Sequence, residues 1–441
     1  MNEAPIDLLL TADRVLTLDK QNREISDGAV AVRGSEIVAV GPATELLSRW
    51  PAAPRLDTPG GLLMPGLVNA HTHAAMSCFR GLADDLPLMT WLTEHIFPAE
   101  GKLTGEIVYH STLLTMAEMI RSGTTSFCDM YLFSAEVAAA AAQSGVRAWI
   151  GEVLYDFPSP CYGELENGFS YLDQLFADYA DHELISITVD PHAVYTCSPE
   201  LLRRLHDCAR RYDALYHIHL AETQDEVNGC LDKYGKRPVA HLDDLGVLDG
   251  RTVAAHGVWL EPGEIDLLAA RGVKVAHCPE SNMKLASGVA PAPELLAAGV
   301  VVGLGTDGAA SNNDIDLFGE MDMAAKLHKV NKMDPTVMAA PEVLKMATGH
   351  GARVLGAEDA IGSLEPGKKA DCIVLDLRRP HLSPFYHAAS HLVYAARGGD
   401  VIHSLINGRL VMKNRRLLTI DEEALGRRVR EIQARMAETP A

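Results

Sequence analysis

The sequence predicts a (β/α)8 barrel with a small β-sandwich domain built from both chain ends. Eight strand-like runs, 67–72, 124–129, 147–154, 185–191, 215–221, 252–258, 273–278 and 300–306, are mostly separated by Ala-, Leu- and Glu-rich segments such as 105–121, 134–144, 199–212, 263–271 and 292–298. That alternation suits a parallel barrel better than an open sheet. No Gly-x-Gly-x-x-Gly follows the first of these runs, and polar residues sit at the ends of many strands instead of at one switch point, which disfavours a doubly wound sheet. Both chain ends, by contrast, read as short β-runs punctuated by Gly, Asp and Asn.

With 441 residues and 47% hydrophobic content, the chain can bury one large core and a smaller satellite. The N-terminal runs are Leu8-Leu9-Leu10, Arg14 to Leu18, Gly28 to Val32 and Ile37 to Gly41. The C-terminal ones are Asp371 to Asp376 and Val401 to Val411, the latter interrupted by Asn407-Gly408, a strong hairpin signal. Neither set buries a good core alone, so residues 1–63 and 368–441 are expected to pair into one composite domain, with the barrel, 64–367, inserted between them.

A formal charge of -20 and a pI near 5.3 repel phosphate backbones and anionic membranes, which excludes nucleic acid and lipid surfaces as expected partners. The opening Met1 to Asp7 shows no basic segment ahead of an apolar one, and no stretch approaches the ~18 apolar residues of a membrane helix, so a cytoplasmic protein is expected. The eight Cys lack short paired spacings and Cys-x-x-Cys is absent, which points to reduced thiols. Any metal should therefore rest on His and carboxylate.

The first barrel strand ends in Asn69-Ala70-His71-Thr72-His73, and period-two alternation puts His71 and His73 on one face. Two imidazoles from one strand end are half of a metal site, although a hydrogen-bonded core pair has the same spacing. Later strand ends carry Asp190-Pro191-His192, His217 to Glu222, His256, His277 to Asn282, and Thr306-Asp307-Gly308. In a barrel these ends converge on one mouth. Burying so many ionisable groups without a metal or substrate would cost several kcal/mol apiece.

Taken together, His71-Thr72-His73, His219-Leu220-Ala221-Glu222, His256 and Gly305 to Asn312 resemble the amidohydrolase superfamily, in its branch of mononuclear deaminases and chlorohydrolases. Within that branch, Met64 to His73, Trp91-Leu92 with Pro98-Ala99-Glu100, and Asp190 to Tyr195 are similar to the 5'-methylthioadenosine/S-adenosylhomocysteine deaminases. The resemblance implies one divalent ion, zinc first with iron or manganese as alternatives, held by His71, His73, His219 and Asp307. It implies hydrolytic deamination by metal-activated hydroxide attack on purine C6. Asp307 would take the proton of the attacking water, Glu222 would protonate ring N1, and His256 would orient the nucleophile. It also implies substrate contacts from Glu100 to the ribose hydroxyls and from His192 to purine or sugar, with homo-oligomerisation as a family-level expectation. Read singly, Glu222 could instead sit at the start of the following helix, Glu100 on a solvated helix, and His192 at a strand-end cap.

One departure bears on substrate. Family members acting on S-adenosylhomocysteine resemble one another in arginines after the third strand, whereas here Glu152 stands at one such position and no Lys or Arg occurs from Ala148 to Leu202. The amino-acid carboxylate of that substrate would find no bidentate cation and would meet a like charge at Glu152. 5'-Methylthioadenosine is favoured, its thioether packed by Trp91, Met130 or Phe157, with adenosine and S-adenosylhomocysteine as further candidates. Triazine chlorohydrolase, guanine deaminase or cytosine deaminase activity is the alternative on this scaffold, and a non-catalytic purine binder is another. The sequence assigns no role to His217 or His277, and Ser281-Asn282 read as loop polar groups near the mouth.

Overall fold

A computed structural model describes residues 4–437; residues 1–3 and 438–441 of the expected composite domain lie outside the described residues. Near the N-terminus, Leu8–Leu16 (β1) forms one strand where the sequence reads as two runs. It pairs antiparallel with Glu24–Arg33 (β2), which pairs antiparallel with Glu36–Pro42 (β3). On its other edge β1 runs parallel to Arg55–Pro65 (β4), a strand hidden in the sequence by Pro59-Gly60-Gly61.

The middle of the chain alternates strand and helix. Leu67–Thr72 (β5), Thr124–Tyr131 (β6), Arg147–Leu154 (β7) and Ile185–Ile187 (β8) form a parallel series, with the short Asp190–Pro191 (β9) also on β7. Tyr216–Leu220 (β10), Thr252–His256 (β11), Lys274–His277 (β12) and Val302–Leu304 (β13) form a second parallel series. Backbone bonds bridge the two at both seams. The Val189 N–H donates to Leu215 O at 2.9 Å and the His217 N–H to Val189 O at 3.0 Å, while the Asp307 N–H donates to His71 O at 3.1 Å.

Helix ends follow their sequence signals. Thr104 accepts from the Ile107 N–H to start Gly105–Ser122, and Gly123 at φ 87 stops it; Ser198 accepts from the Leu201 N–H to start Pro199–Tyr212.

Cys372–Asp376 (β14), Val401–Ile406 (β15), Arg409–Lys413 (β16) and Arg416–Leu417 (β17) complete the terminal sheet, with β14 lying antiparallel to β4. Both chain ends thus share one eight-stranded sheet ordered β17-β16-β15-β14-β4-β1-β2-β3. The Asn407-Gly408 hairpin forms as the sequence predicts, both residues at positive φ. Among the described residues no helix is long and apolar enough to cross a membrane, and the eight cysteines are free.

Candidate metal centre and active site

Parallel strands that share a direction bring their C-terminal ends to one side, and every expected site residue on a strand lies there. His71 is the next-to-last residue of β5 and His73 follows the strand; His192 follows β9; His219 lies on β10 with Glu222 just beyond; His256 ends β11; Asp307 follows β13. The approach of β13 to β5 needs Gly305, since a Cβ there would sit 2.9 Å from His71 Cβ and from His71 O. Three non-glycine residues at these ends, Ala221 (φ 50), His256 (φ 71) and Asp307 (φ 60), are left-handed, a conformation that costs roughly 1–3 kcal/mol each.

Four donor atoms converge. Asp307 Oδ1 lies 3.0 Å from His73 Nε2 and 3.5 Å from His71 Nε2, and His219 Nε2 lies 3.3 Å from His73 Nε2. The Nδ1 of each ring is engaged elsewhere: His71 Nδ1 lies 3.1 Å from His217 Nε2, His73 Nδ1 bonds Met130 O, and His219 Nδ1 bonds His192 O at 2.9 Å. With Nδ1 as the donor to those carbonyls, His73 and His219 keep the Nε2 lone pair for the centre. The buried His71 Nε2 has no hydrogen-bond partner, as a metal ligand should not.

The electrostatics favour positive charge at this centre. Burial pushes His71 down to about 4 against the pull of Asp307, so its ring is neutral. Burial would also lower His73, yet Asp307 beside it lifts it to about 9, and Asp307, which burial alone would raise, is held well below the carboxylate range by both rings. A buried carboxylate facing three imidazole nitrogens fits a divalent cation.

Around this centre His256 Nε2 lies 3.8 Å from Glu222 Oε2, and the His219 and His256 rings stack with centroids 5.5 Å apart. Glu222 is not the helix cap: Thr223 accepts from the Glu226 N–H to start Gln224–Tyr234, while Glu226 receives the Ala221 and Glu222 N–H groups at 2.9 and 2.8 Å. Glu222 is free to face the cleft, where burial pushes its carboxyl up and the Ser287 hydroxyl donates to Oε1 at 3.2 Å.

His73, His192, His219, Glu222, His256, Asp307 and Glu100 all line one cleft of about 760 Å³, part of it open to solvent. Glu100 accepts from the Tyr131 hydroxyl at 2.8 Å, and burial raises it to about 7. His192 Nδ1 lies 2.8 Å from Thr196 Oγ1, and burial holds its ring down at about 3. Trp91, Met130 and Phe157 line the same cleft, joined by Tyr155, whose ring stacks on Phe157 at 3.9 Å.

Two sequence readings need revision. Glu152 does not face the substrate: its neighbour Val153 lines the cleft, and Glu152 Oε2 instead accepts the Ser134 N–H at the start of Ser134–Ser144. The like-charge part of the substrate argument falls, whereas the missing cation stands, because no Lys or Arg is among the residues lining the cleft. Ser281-Asn282 are also not loop groups at the mouth but buried residues of the helix Pro279–Lys284. Of the two unassigned histidines, His217 backs His71, and His277 pairs with His328 at 3.0 Å between Nε2 atoms, away from the cleft. Tyr131 and Ser287 went unread because a strand-end aromatic and a loop serine carry no distinctive spacing.

The amidohydrolase family matches residues 62–411, and an imidazolonepropionase-like composite domain of bacteria matches residues 28–53. A protein of Syntrophobacter fumaroxidans named 5-methylthioadenosine/S-adenosylhomocysteine deaminase is 57% identical over 432 residues, covering 98% of this chain and 99% of its own. An adenosine deaminase from Xanthomonas campestris, solved with bound zinc, superposes with a TM-score of 0.96 at 42% identity over 98% of this chain and 99% of that one. Atrazine chlorohydrolase TrzN from Arthrobacter aurescens TC1, complexed with zinc, follows at a TM-score of 0.90 and 26% identity, over 97% and 100% of the two chains.

Proposed function

This chain belongs to the amidohydrolase family, and on that premise we propose that it is a zinc-dependent aminohydrolase that converts 5'-methylthioadenosine to its inosine analogue and ammonia, with adenosine and S-adenosylhomocysteine as further substrates. The observation that carries this reading is the convergence of His71, His73, His219 and Asp307 beside Glu222 at a cleft that Trp91, Met130 and Phe157 also line. The deaminase name of the 57% identical relative supports it over triazine or guanine chemistry.

His71, His73, His219 and Asp307 would hold the ion. When bound, zinc supplies the Lewis acidity that makes water a nucleophile at neutral pH. Asp307 accepts the proton of the attacking water, and His256 faces the same water and orients it. Glu222, whose carboxyl burial pushes up, donates to ring N1 as C6 becomes tetrahedral. The proton returned to the exocyclic nitrogen then lets ammonia leave and the 6-oxo purine form. Glu100, set by Tyr131, accepts from the ribose diol, and His192 contacts the nucleoside above β9. Trp91, Met130, Tyr155 and Phe157 enclose the methylthio group.

The scaffold follows the same reading. The two parallel series and their bridging bonds are taken to close into a (β/α)8 barrel over 64–367, and the terminal sheet to fold over as the expected sandwich of 1–63 and 368–441. The protein is placed in the cytoplasm, as a homo-oligomer. Loss of adenine-band absorbance, with ammonia release, across methylthioadenosine, adenosine, S-adenosylhomocysteine, guanine and a chlorotriazine tests the function. Turnover of the last two alone would replace it.

A further inference from the structure

We propose that the adjacent residues Ser281 and Asn282 form a positioning pair, one holding Asp307 and the other holding His256, that sets both groups for a single proton-transfer geometry. The inference rests on the deaminase reading above. In the second parallel series β12 lies between β11 and β13. The helix Pro279–Lys284, which begins right after β12, therefore stands between the ends that carry His256 and Asp307. Successive residues of a helix point about 100° apart, so two neighbours in sequence can address the two flanking strands.

The contacts follow that arrangement. The Ser281 hydroxyl donates to Asp307 Oδ2 at 2.6 Å, and Ser311 donates to the same oxygen at 2.8 Å. Asp307 Oδ1 is thereby the oxygen left to face His73 Nε2. On the other side Asn282 Oδ1 lies 2.9 Å from His256 Nδ1. An amide oxygen carries no proton, so the ring must donate from Nδ1, which leaves Nε2 as the atom turned toward Glu222 and the cluster. Both side chains are buried, Ser281 at 0% and Asn282 at 1% exposure, and the backbone holds them: the Asn282 N–H donates to Cys278 O at 3.0 Å and the Ser287 N–H to Asn282 O at 2.9 Å. Left-handed His256 and Asp307 have backbones that set each side chain's direction, and this pair fixes what rotation remains.

The test uses the full-length zinc-loaded protein, with Ser281→Ala, Asn282→Leu and the conservative Ser281→Thr and Asn282→Asp, and methylthioadenosine as substrate. Ser281→Ala and Asn282→Leu are expected to lower kcat by ~10–100-fold, with KM changed by no more than about 3-fold and zinc content equal to the parent. Ser281→Thr and Asn282→Asp should recover most of the loss. As a readout independent of turnover, nitrogen-15 spectra of the parent should show the Nδ1–H tautomer of His256, assigned with a His256→Phe control, and Asn282→Leu should lose it. An unchanged kcat, an equal loss in the conservative variants, or an unchanged tautomer in Asn282→Leu would overturn the proposal. Should either apolar variant unfold or shed zinc, the conservative pair decides: near-parental kcat supports it, and a loss as deep as the apolar one contradicts it. A parent protein that deaminates nothing refutes the functional reading instead, and the tautomer measurement still judges the Asn282 contact.

Discussion

Nδ1 of His71 lies 3.1 Å from Nε2 of the buried His217, whose own Nδ1 lies 3.4 Å from Cys128 Sγ. His217 is not among the residues lining the cleft, and its Nε2 faces the ring of His71 instead. A histidine that ligates a metal through Nε2 needs a partner at Nδ1 to set its tautomer and plane. His217→Phe should therefore bind zinc ~10–100-fold more weakly while keeping its fold, as read by chelator competition. Parental zinc affinity in that variant would leave His217 as core packing.

Glu222 sits 3.8 Å from His256 with its carboxyl raised by burial. Glu222→Gln keeps the shape and the Ser287 contact but removes the transferable proton. Zinc content should stay at the parental level while kcat falls by ~10²–10⁴-fold. A kcat within tenfold of the parent would move ring protonation to another group.

No Lys or Arg lines the cleft, and Trp91, Met130, Tyr155 and Phe157 are among the residues that do. Methylthioadenosine is expected to be turned over with a kcat/KM at least about tenfold above that of S-adenosylhomocysteine, because the latter's carboxylate meets no guanidinium. Trp91→Ala should cost about 1–2 kcal/mol for methylthioadenosine, or ~5–30-fold in kcat/KM, and less for adenosine, which lacks the thioether. Equal efficiency on both thio-nucleosides would remove the argument.

Glu152 is buried and not among the cleft's lining residues, and desolvation outweighs its Ser134 N–H bond to raise its carboxyl from 4.5 to about 7. A carboxyl whose folded pKa is raised binds its proton more tightly when folded. Its contribution is therefore fully present below about pH 4.5 and is lost as pH rises through about 7. Glu152→Gln, which keeps the acceptor for Ser134, should flatten the fall in melting temperature between pH 5 and 8. A variant with the parental slope would mean that other buried carboxyls, such as Glu226, also raised to about 7, set the decline.

Much of the site was readable because strand alternation is simple. His71 and His73 share a face by period two, and Asp307, His219 and His256 stand where apolar runs stop. The misreading of Glu152 came from its match to a family arginine position, and alternation could not correct it, since it says that Glu152 and Val153 face opposite ways but not which of them faces inward until neighbouring strands are in place. Tyr131 reads as a core aromatic, and its bond to Glu100 exists only because residues 88–100 fold across the strand ends. The left-handed turns at Ala221, His256 and Asp307 leave no mark in sequence, because tertiary contacts impose them on residues that do not prefer them. β4 was concealed by a Pro-Gly-Gly that breaks its pattern while its ends still pair with β1 and β14.

The central claim is that one ion held by His71, His73, His219 and Asp307 drives deamination of an adenine nucleoside. Its most direct measurement is the fall in adenine-band absorbance of 5'-methylthioadenosine with the protein as purified, after chelation, and after zinc is restored. The account predicts full turnover, none, and recovery at one equivalent of zinc per chain. Undiminished turnover after complete metal removal, or none in the zinc-loaded protein, would contradict it.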